Sequence, residues 1–413
     1  MNAVRLREVA EAKADLELAI NGGKPLIEAG RLSAPNAGWR PGAAERVRRL
    51  VESNRTFKWF GGPLQEEFET RFAAWVGANH AVMCSSGTVA LALVLEAAGV
   101  TRGSVVGVPS FAFYSVPNVV VAAGAIPFVL RISPVTHQVD LDAAVDELPR
   151  GAFLLAVHTL GRAFDVAEFA RRRPDVVILE DAAEAQTTKL HGAHVGNVGV
   201  AACWSLTTDH NVVHAASTGG VVTTDDSQFA VAIRRLAHYG KPSRRLSPHY
   251  GVNPVPLHLG FNGMTSEIEA CVALATLSSA DEEWRKRRYL GSCLEAAMAS
   301  LGFQVPQAPL ECDQNYYDVT FYIPDSWADY REWAFEALIA EGCPAWTYHS
   351  YLSLQWFQEW MISRDLWDSR VQDIARVDAP KANSLLAIRP PHADEDVPLL
   401  KGSVAKVLMT ADD

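Results

Sequence analysis

Short runs of β-branched and aliphatic residues recur along this chain, with helical periods between most of them. Residues 80–84, 105–109, 126–130, 153–158 and 176–179 are such runs. Strands that short and that uniformly apolar are buried on both faces, and their alternation with helices predicts a doubly wound, mostly parallel α/β sheet. One run carries more than packing. Val176-Val177-Ile178-Leu179-Glu180-Asp181 passes abruptly from aliphatics into acids, so a buried strand delivers Asp181 at its carboxyl end. Ligands of open α/β sheets bind at that end. Another run, Val200 to Trp204, closes on Ser205 and leads into Leu206-Thr207-Thr208-Asp209-His210-Asn211.

Residues 219–224 read as one more strand, antiparallel and at an edge. A single long helix from 265 to about 288 reads as the link to a smaller α+β unit, which has a strand pattern over 316–323 and a helix over 327–341. Residues 1–280 are therefore expected to form an N-terminal segment and a large ligand-binding domain, and 281–413 a small C-terminal domain. At the front, 3–20 has an amphipathic helical period, Asn21-Gly22-Gly23-Lys24-Pro25 is a turn, and short helices are expected over 45–54 and 64–76.

A formal net charge of −11 argues against nucleic acid or an anionic membrane as partner. No apolar run reaches the roughly 18 residues that span a bilayer, and an N-terminus with Glu8, Glu11 and Asp15 does not resemble a signal peptide. Six cysteines are scattered with no Cys-x-x-Cys pair, which suggests free thiols in a reducing cytoplasm and no metal site.

Residues 80–84 run into Ser85-Ser86-Gly87-Thr88, after which 89–98 is helical. A strand, a small-residue turn and a helix start leave backbone N–H groups aimed at whatever sits above the helix, and the helix dipole favours an anion there. The same residues also suit an N-cap with nothing bound. Phe113 follows the next strand, Asp181 ends a central one, and Ser205 ends its successor. An aromatic cofactor with a phosphate tail and a ring nitrogen would use all four parts, and pyridoxal phosphate makes those demands.

The matching stretches are Gly22-Gly23-Lys24-Pro25, Gly61-Gly62-Pro63 with Glu67-Phe68-Glu69, and Ser86-Gly87-Thr88-Val89-Ala90-Leu91. His158 with Gly161 and Asp165, Glu180-Asp181-Ala182-Ala183, Gly219-Gly220 and Gly260-Phe261-Asn262 continue the series in order. In these the chain resembles the DegT/DnrJ/EryC1/StrS family, sugar and cyclitol aminotransferases of fold type I, the aspartate aminotransferase fold. The resemblance implies that Gly87, Thr88 and Ser205 hold the phosphate of pyridoxal phosphate or pyridoxamine phosphate. It implies that Phe113 stacks on the ring, Asp181 pairs with the ring nitrogen and Glu184 lies at the cofactor. It also implies that Asn262 reaches the cofactor of a neighbouring subunit in a homodimer with shared sites.

The chain departs from the family in three places. The lysine that forms the Schiff base stands five residues beyond the serine matched by Ser205, and here that position is His210. The usual Gly-Glu-Gly-Gly is replaced by Ala216-Ser217-Thr218-Gly219-Gly220. The histidine or glutamine three residues after the ring-nitrogen aspartate is Glu184, and the arginine two after the asparagine is Met264. Imidazole forms no stable imine but moves protons near neutral pH. The 4-keto-6-deoxyhexose 3-dehydratases of this family carry histidine there, which implies non-covalent cofactor and dehydratase-like chemistry with His210 as base and Asp181 beside it; His214 is a second candidate. Two alternatives stand: amino transfer without a covalent lysine, and an inert partner subunit of an active aminotransferase. The Gly22–Pro25 opening resembles the aminocyclitol and aminohydroxybenzoate branch. Trp59 and Phe60 suit a dimer contact or the substrate mouth, and Tyr348, His349 and Tyr351 suit a small-domain wall or simple packing. Gly192, Gly196 and Gly199 read as turns.

Overall fold

A computed structural model of the chain describes residues 17–29, 31–32, 42–53, 61–208, 211–241, 256, 258–324 and 330–411. The first apolar runs form β1 (His80–Cys84), β2 (Val105–Pro109), β3 (Ile126–Leu130), β4 (Phe153–Val157) and β5 (Val177–Asp181). Two-residue strands β6 (Lys189–Leu190) and β7 (Ala193–His194) precede β8 (Ala201–Ser205) and β9 (Gly220–Thr224). The large sheet has the order β1-β9-β8-β5-β4-β2-β3. From β8 to β3 every pairing is parallel, and β9 pairs antiparallel with both β1 and β8. The sheet is doubly wound and mostly parallel, as the alternation predicts.

The edge position expected for 219–224 is corrected: β9 is interior and β1 lies outside it. Glycine makes that possible. A Cβ at Gly220 would lie 2.2 Å from the Ser86 carbonyl oxygen, so only a residue without one lets β9 pass the turn after β1.

Strand alternation assigns the two faces. Cys84, Val108, Val157, Leu179, Cys203 and Val222 pack on one, against the helix Gly87–Ala97. Met83, Ala202, Trp204 and Val221 pack on the other, against the helices Pro63–Val76 and Glu267–Leu277. The buried Glu267 carboxylate accepts the Leu64 and Gln65 amides at the start of the first of these helices, where a negative charge is favoured. A Cβ at Gly62 would fall 2.1 Å from that carboxyl carbon, which accounts for glycine at that position.

The single helix expected from 265 to 288 is two, Glu267–Leu277 and Ala280–Ser300. Between them the hydroxyls of Ser278 and Ser279 bond back to the Ala275 and Thr276 carbonyls. Such local bonds compete with helix continuation. Beyond, β10 (Cys312–Asp313) joins β6 and β7, while β11 (Val319–Tyr322), β12 (Ala345–Thr347) and β13 (Leu385–Ile388) form an antiparallel sheet in the order β11-β13-β12.

Most of the helix expected over 3–20 lies outside the described residues; Ala19–Asn21 is a 3-10 turn. Leu18 and Ile27 bury themselves in the core of the C-terminal unit. Glu341 holds this segment, accepting the Ala19 and Leu26 amides at 2.8 Å each, and Lys406 pairs with the same carboxylate. The Gly22–Pro25 turn is thus fixed by C-terminal side chains. No described helix is long and apolar enough to cross a membrane.

Candidate functional site

The helix Gly87–Ala97 starts under the carboxyl end of the sheet, capped by the Ser86 hydroxyl, which accepts the Val89 amide at 3.1 Å. Gly87 and Thr88 are its first two residues, whose amides an α-helix leaves without internal acceptors. A Cβ at Gly87 would meet the Ser205 Cβ at 3.2 Å, so turn and β8 end lie in contact. The Ser205 hydroxyl pairs with that of Thr207 at 2.9 Å. The turn is also tied to the segment around Asn262, because the Ser85 amide donates to the Gly263 carbonyl. Asn262 itself is exposed.

Asp181 ends β5 opposite Cys203 and is 4% exposed. Its Oδ1 accepts the Ala183 amide at 3.0 Å; Oδ2 has no protein donor among the described residues. Burial pushes the carboxyl up to about 6, against the Ala183 bond and the nearby His158, which lower it. A buried carboxylate with one oxygen unsatisfied suits a protonated ring nitrogen, which would supply the missing donor and charge.

Glu180, the next residue back, has a different task. It accepts the Gly196, Val198 and Gly199 amides and the His158 ring at 3.0 Å. His158 Nδ1 accepts the Phe164 amide, so the proton on Nε2 points at Glu180. Burial alone would raise this carboxyl, yet the histidine and the amides hold it below the usual range. Sequence reasoning missed this arrangement; a glutamate beside the aspartate, with glycines 16 and 19 residues on, is the signal that was there.

A cavity of about 380 Å³ opens between the sheet end and the C-terminal unit, walled by Phe111, Phe113, Glu184, Thr347, Tyr348 and His349 among others. Phe113 is 61% exposed, an aromatic at the sheet end whose ring centroid lies 5.4 Å from that of Tyr114. Tyr351 is buried instead, its hydroxyl donating to the Pro109 carbonyl, so of the three C-terminal candidates it is a packing residue. Glu184 Oε2 accepts the Leu160 amide at 2.6 Å. His210 lies outside the described residues, as do Trp59 and Phe60. His214 is buried against the helix Glu267–Leu277, its Nδ1 facing the Ala215 carbonyl at 3.0 Å and its amide donating to Thr276. Gln186 braces the same loop, spanning the Ser205 carbonyl and both polar backbone groups of Val213.

The model of the DegT/DnrJ/EryC1/StrS aminotransferase family matches residues 42–360. The chain belongs to this family. Over 246 residues it is 34% identical to the GDP-perosamine synthase of Caulobacter vibrioides, a match covering 58% of this chain and 63% of that protein, less than two-thirds of its length. It is 30% identical over 327 residues to the L-glutamine:2-deoxy-scyllo-inosose aminotransferase of Micromonospora echinospora, covering 75% of each. An aminotransferase from Psychrobacter cryohalolentis shares the fold, with a TM-score of 0.81 over 92% of this chain and 100% of that one, at 20% identity. This DegT-family chain therefore has fold type I, and the family's cofactor is pyridoxal phosphate or pyridoxamine phosphate. The residues present fit that group: a capped helix start in contact with Ser205, an exposed Phe113, and an Asp181 carboxylate with one oxygen that has no donor among the described residues.

Proposed function

We propose that this protein is a pyridoxal- or pyridoxamine-phosphate enzyme that works without a Schiff-base lysine. Its substrate is a keto or amino sugar, a cyclitol or an unusual amino acid, and its chemistry is dehydratase-like. The observation that carries this reading is the unsatisfied Asp181 oxygen beside an intact cradle whose following loop has no lysine. Between Lys189 and Lys241 the sequence contains none; Lys189 lies over the Trp284 ring and Lys241 over that of Tyr239.

When bound, the cofactor supplies an electron sink built on a protonated pyridine. Asp181 would keep the ring nitrogen protonated, the Gly87 and Thr88 amides with Ser205 would hold the phosphate, and Phe113 would cover the ring. His210 takes the lysine's second duty and moves a proton at the reacting carbon. Asn262, exposed on a single chain and tied through Gly263 to the phosphate turn, suits a homodimer with shared sites. Amino transfer with a non-covalent cofactor is the second reading, favoured by relatives named as aminotransferases.

The test is an absorption spectrum of the protein with pyridoxal phosphate and, separately, pyridoxamine phosphate, followed by borohydride and peptide mass mapping. Non-covalent binding of either form with no lysine labelled is expected. Reduction onto a lysine, with Lys286 the one to inspect because it borders Asn211, would overturn the proposal. His210→Asn is expected to lower turnover by about 10²–10⁴-fold while leaving cofactor binding intact; full turnover would remove His210 from the role.

A further inference from the structure

We infer that the cavity between the sheet end and the C-terminal unit is a site for a protonated amine, with the free oxygen of Glu184 as counter-charge and aromatic rings as walls. The substrate is then a ring that already carries an amino group, an amino sugar or an aminocyclitol. The inference deepens the reading above and rests on it for calling the ligand a substrate. It does not rest on it for the charge that the cavity selects.

Glu184 lines the cavity from the sheet side and is half-buried. Its Oε2 accepts the Leu160 amide at 2.6 Å. Leu160 presents that amide from a left-handed backbone, φ 57, in the turn Thr159–Gly161. Such a conformation is unfavourable for leucine and persists only where surrounding structure holds it. A short bond from an N–H group fixes the side chain and favours its carboxylate form. The other oxygen, Oε1, has no donor among the described residues. One acceptor of an anchored acid is thus left to whatever enters.

The rest of the wall is largely aromatic. Phe111 and Tyr348 meet edge to face with ring centroids 5.9 Å apart, Phe113 stands on the sheet side, and Trp346, 49% exposed, on the C-terminal side. No lysine or arginine is among the described residues that line the cavity. The cations around it have other partners: Arg331 donates to the Tyr348 carbonyl, and Arg389 lies 6.0 Å from the Trp346 ring centroid. The Tyr348 hydroxyl is itself committed to Asp318 at 2.5 Å.

A carboxylate among aromatic rings attracts an ammonium ion twice, through a charge-assisted hydrogen bond and through the ring quadrupoles. It repels an anion and gains far less from a neutral hydroxyl. In the empty cavity burial, then Asp181 and Asp318, raise the Glu184 carboxyl to about 8 against the Leu160 bond, and the Tyr317 and Tyr348 phenols beside it stay neutral. An ammonium ion at Oε1 supplies the opposite charge and draws the acid back down. Size fits as well. A cavity of roughly 150 Å³ holds one benzene, so one of about 380 Å³ has room for two six-membered rings, the cofactor's and one more.

The experiment uses cyclohexylamine, cyclohexanol and cyclohexanecarboxylate, which share a ring and differ in charge. Each is titrated calorimetrically into the full chain at about pH 9, where Glu184 is ionised and an alkylammonium ion is still charged. The titrations are run without cofactor and again with pyridoxamine phosphate, which does not condense with amines. The amine is expected to bind tighter than the alcohol by about tenfold or more in both, and the carboxylate weakest of the three. Glu184→Gln must bring the amine down to the alcohol. Trp346→Leu, which keeps apolar bulk at a half-exposed position, must weaken the amine more than the alcohol. Equal binding of amine and alcohol, binding of none of the three, a preference that survives Glu184→Gln, or equal weakening in Trp346→Leu overturns the proposal. If pyridoxamine phosphate itself does not bind, the reading above fails alone, and the cofactor-free titration still decides this one.

Discussion

Gly220→Ala adds one methyl group where the structure has least room for it. The new Cβ would lie 2.2 Å from the Ser86 oxygen, 2.4 Å from its carbon and 2.8 Å from the Gly87 nitrogen. Real Cβ contacts stay beyond 3.0 Å, so one partner must retreat by at least about 0.8 Å. β9 is a poor candidate to move, because Gly220 is paired with Cys84 on one side and Ser205 on the other. The turn must give. Ser86 O accepts the first helical bond, from Ala90 at 2.9 Å, and a shift of that size breaks it and re-aims the Gly87 and Thr88 amides. Overpacking costs about 1–3 kcal/mol, and the lost hydrogen bond about 1 more. If about 2 kcal/mol of this falls on phosphate binding, cofactor affinity drops roughly 30-fold. The assay is titration with pyridoxal phosphate followed by absorbance, with thermal melting alongside. Gly151→Ala is the control: it has a left-handed φ of 72 but nothing within 4 Å of the new atom. That control should lose about 1 kcal/mol of stability and no affinity. Equal affinity in Gly220→Ala and wild type, or equal weakening in both variants, would refute the reasoning.

Asp181→Asn keeps the shape and removes the charge, and is expected to weaken cofactor binding by tenfold or more, about 1.4 kcal/mol. Because Asp181 is raised to about 6 in the free protein, wild-type affinity should climb between about pH 5 and pH 7, and titrations of Asp181→Asn should show no such climb. For Glu184, raised from 4.5 to about 8, the neutral acid's contribution to stability is complete below pH 4.5 and lost as pH rises through about 8. Thermal melts at about pH 5 and pH 9 should show Glu184→Gln gaining on wild type only at the alkaline end. His158→Ala strips the ring from a buried, ionised Glu180 and should cost about 3 kcal/mol, read from the urea midpoint at unchanged slope. The depressed Glu180 contributes above its ordinary 4.5 and loses that contribution as pH falls through its lower native value.

Much of this was legible from local pattern. β1, β2 and β3 form over the same residues as their apolar runs, because each run is bounded by turn residues and mostly buried. Sheet order was not legible: the interior place of β9 depends on Gly220 passing a turn more than a hundred residues earlier, which no local period records. The helix break at 278–279 was visible as a pair of serines but was outweighed by the apolar period around it. Tyr348 carries no motif at all. It reaches the cavity only because the antiparallel C-terminal sheet sets the end of β12 against the sheet end.

The two adjacent acids show where sequence and structure meet. Glu180-Asp181 offers two carboxylates, and composition cannot choose between them. Alternation can. Leu179 and Cys203 pack on the face covered by the helix Gly87–Ala97, so Asp181, two residues from one and paired in register with the other, faces the side where Gly87 and Ser205 meet. Glu180 faces the opposite layer, where the glycine turn at 196–199 and His158 consume its hydrogen-bonding capacity. A one-residue slip of β5 would exchange the two, taking Glu180 from its histidine and glycine-turn partners and Asp181 from the side where Gly87 and Ser205 meet. The acid with an oxygen to spare is the one the register turns toward the cradle.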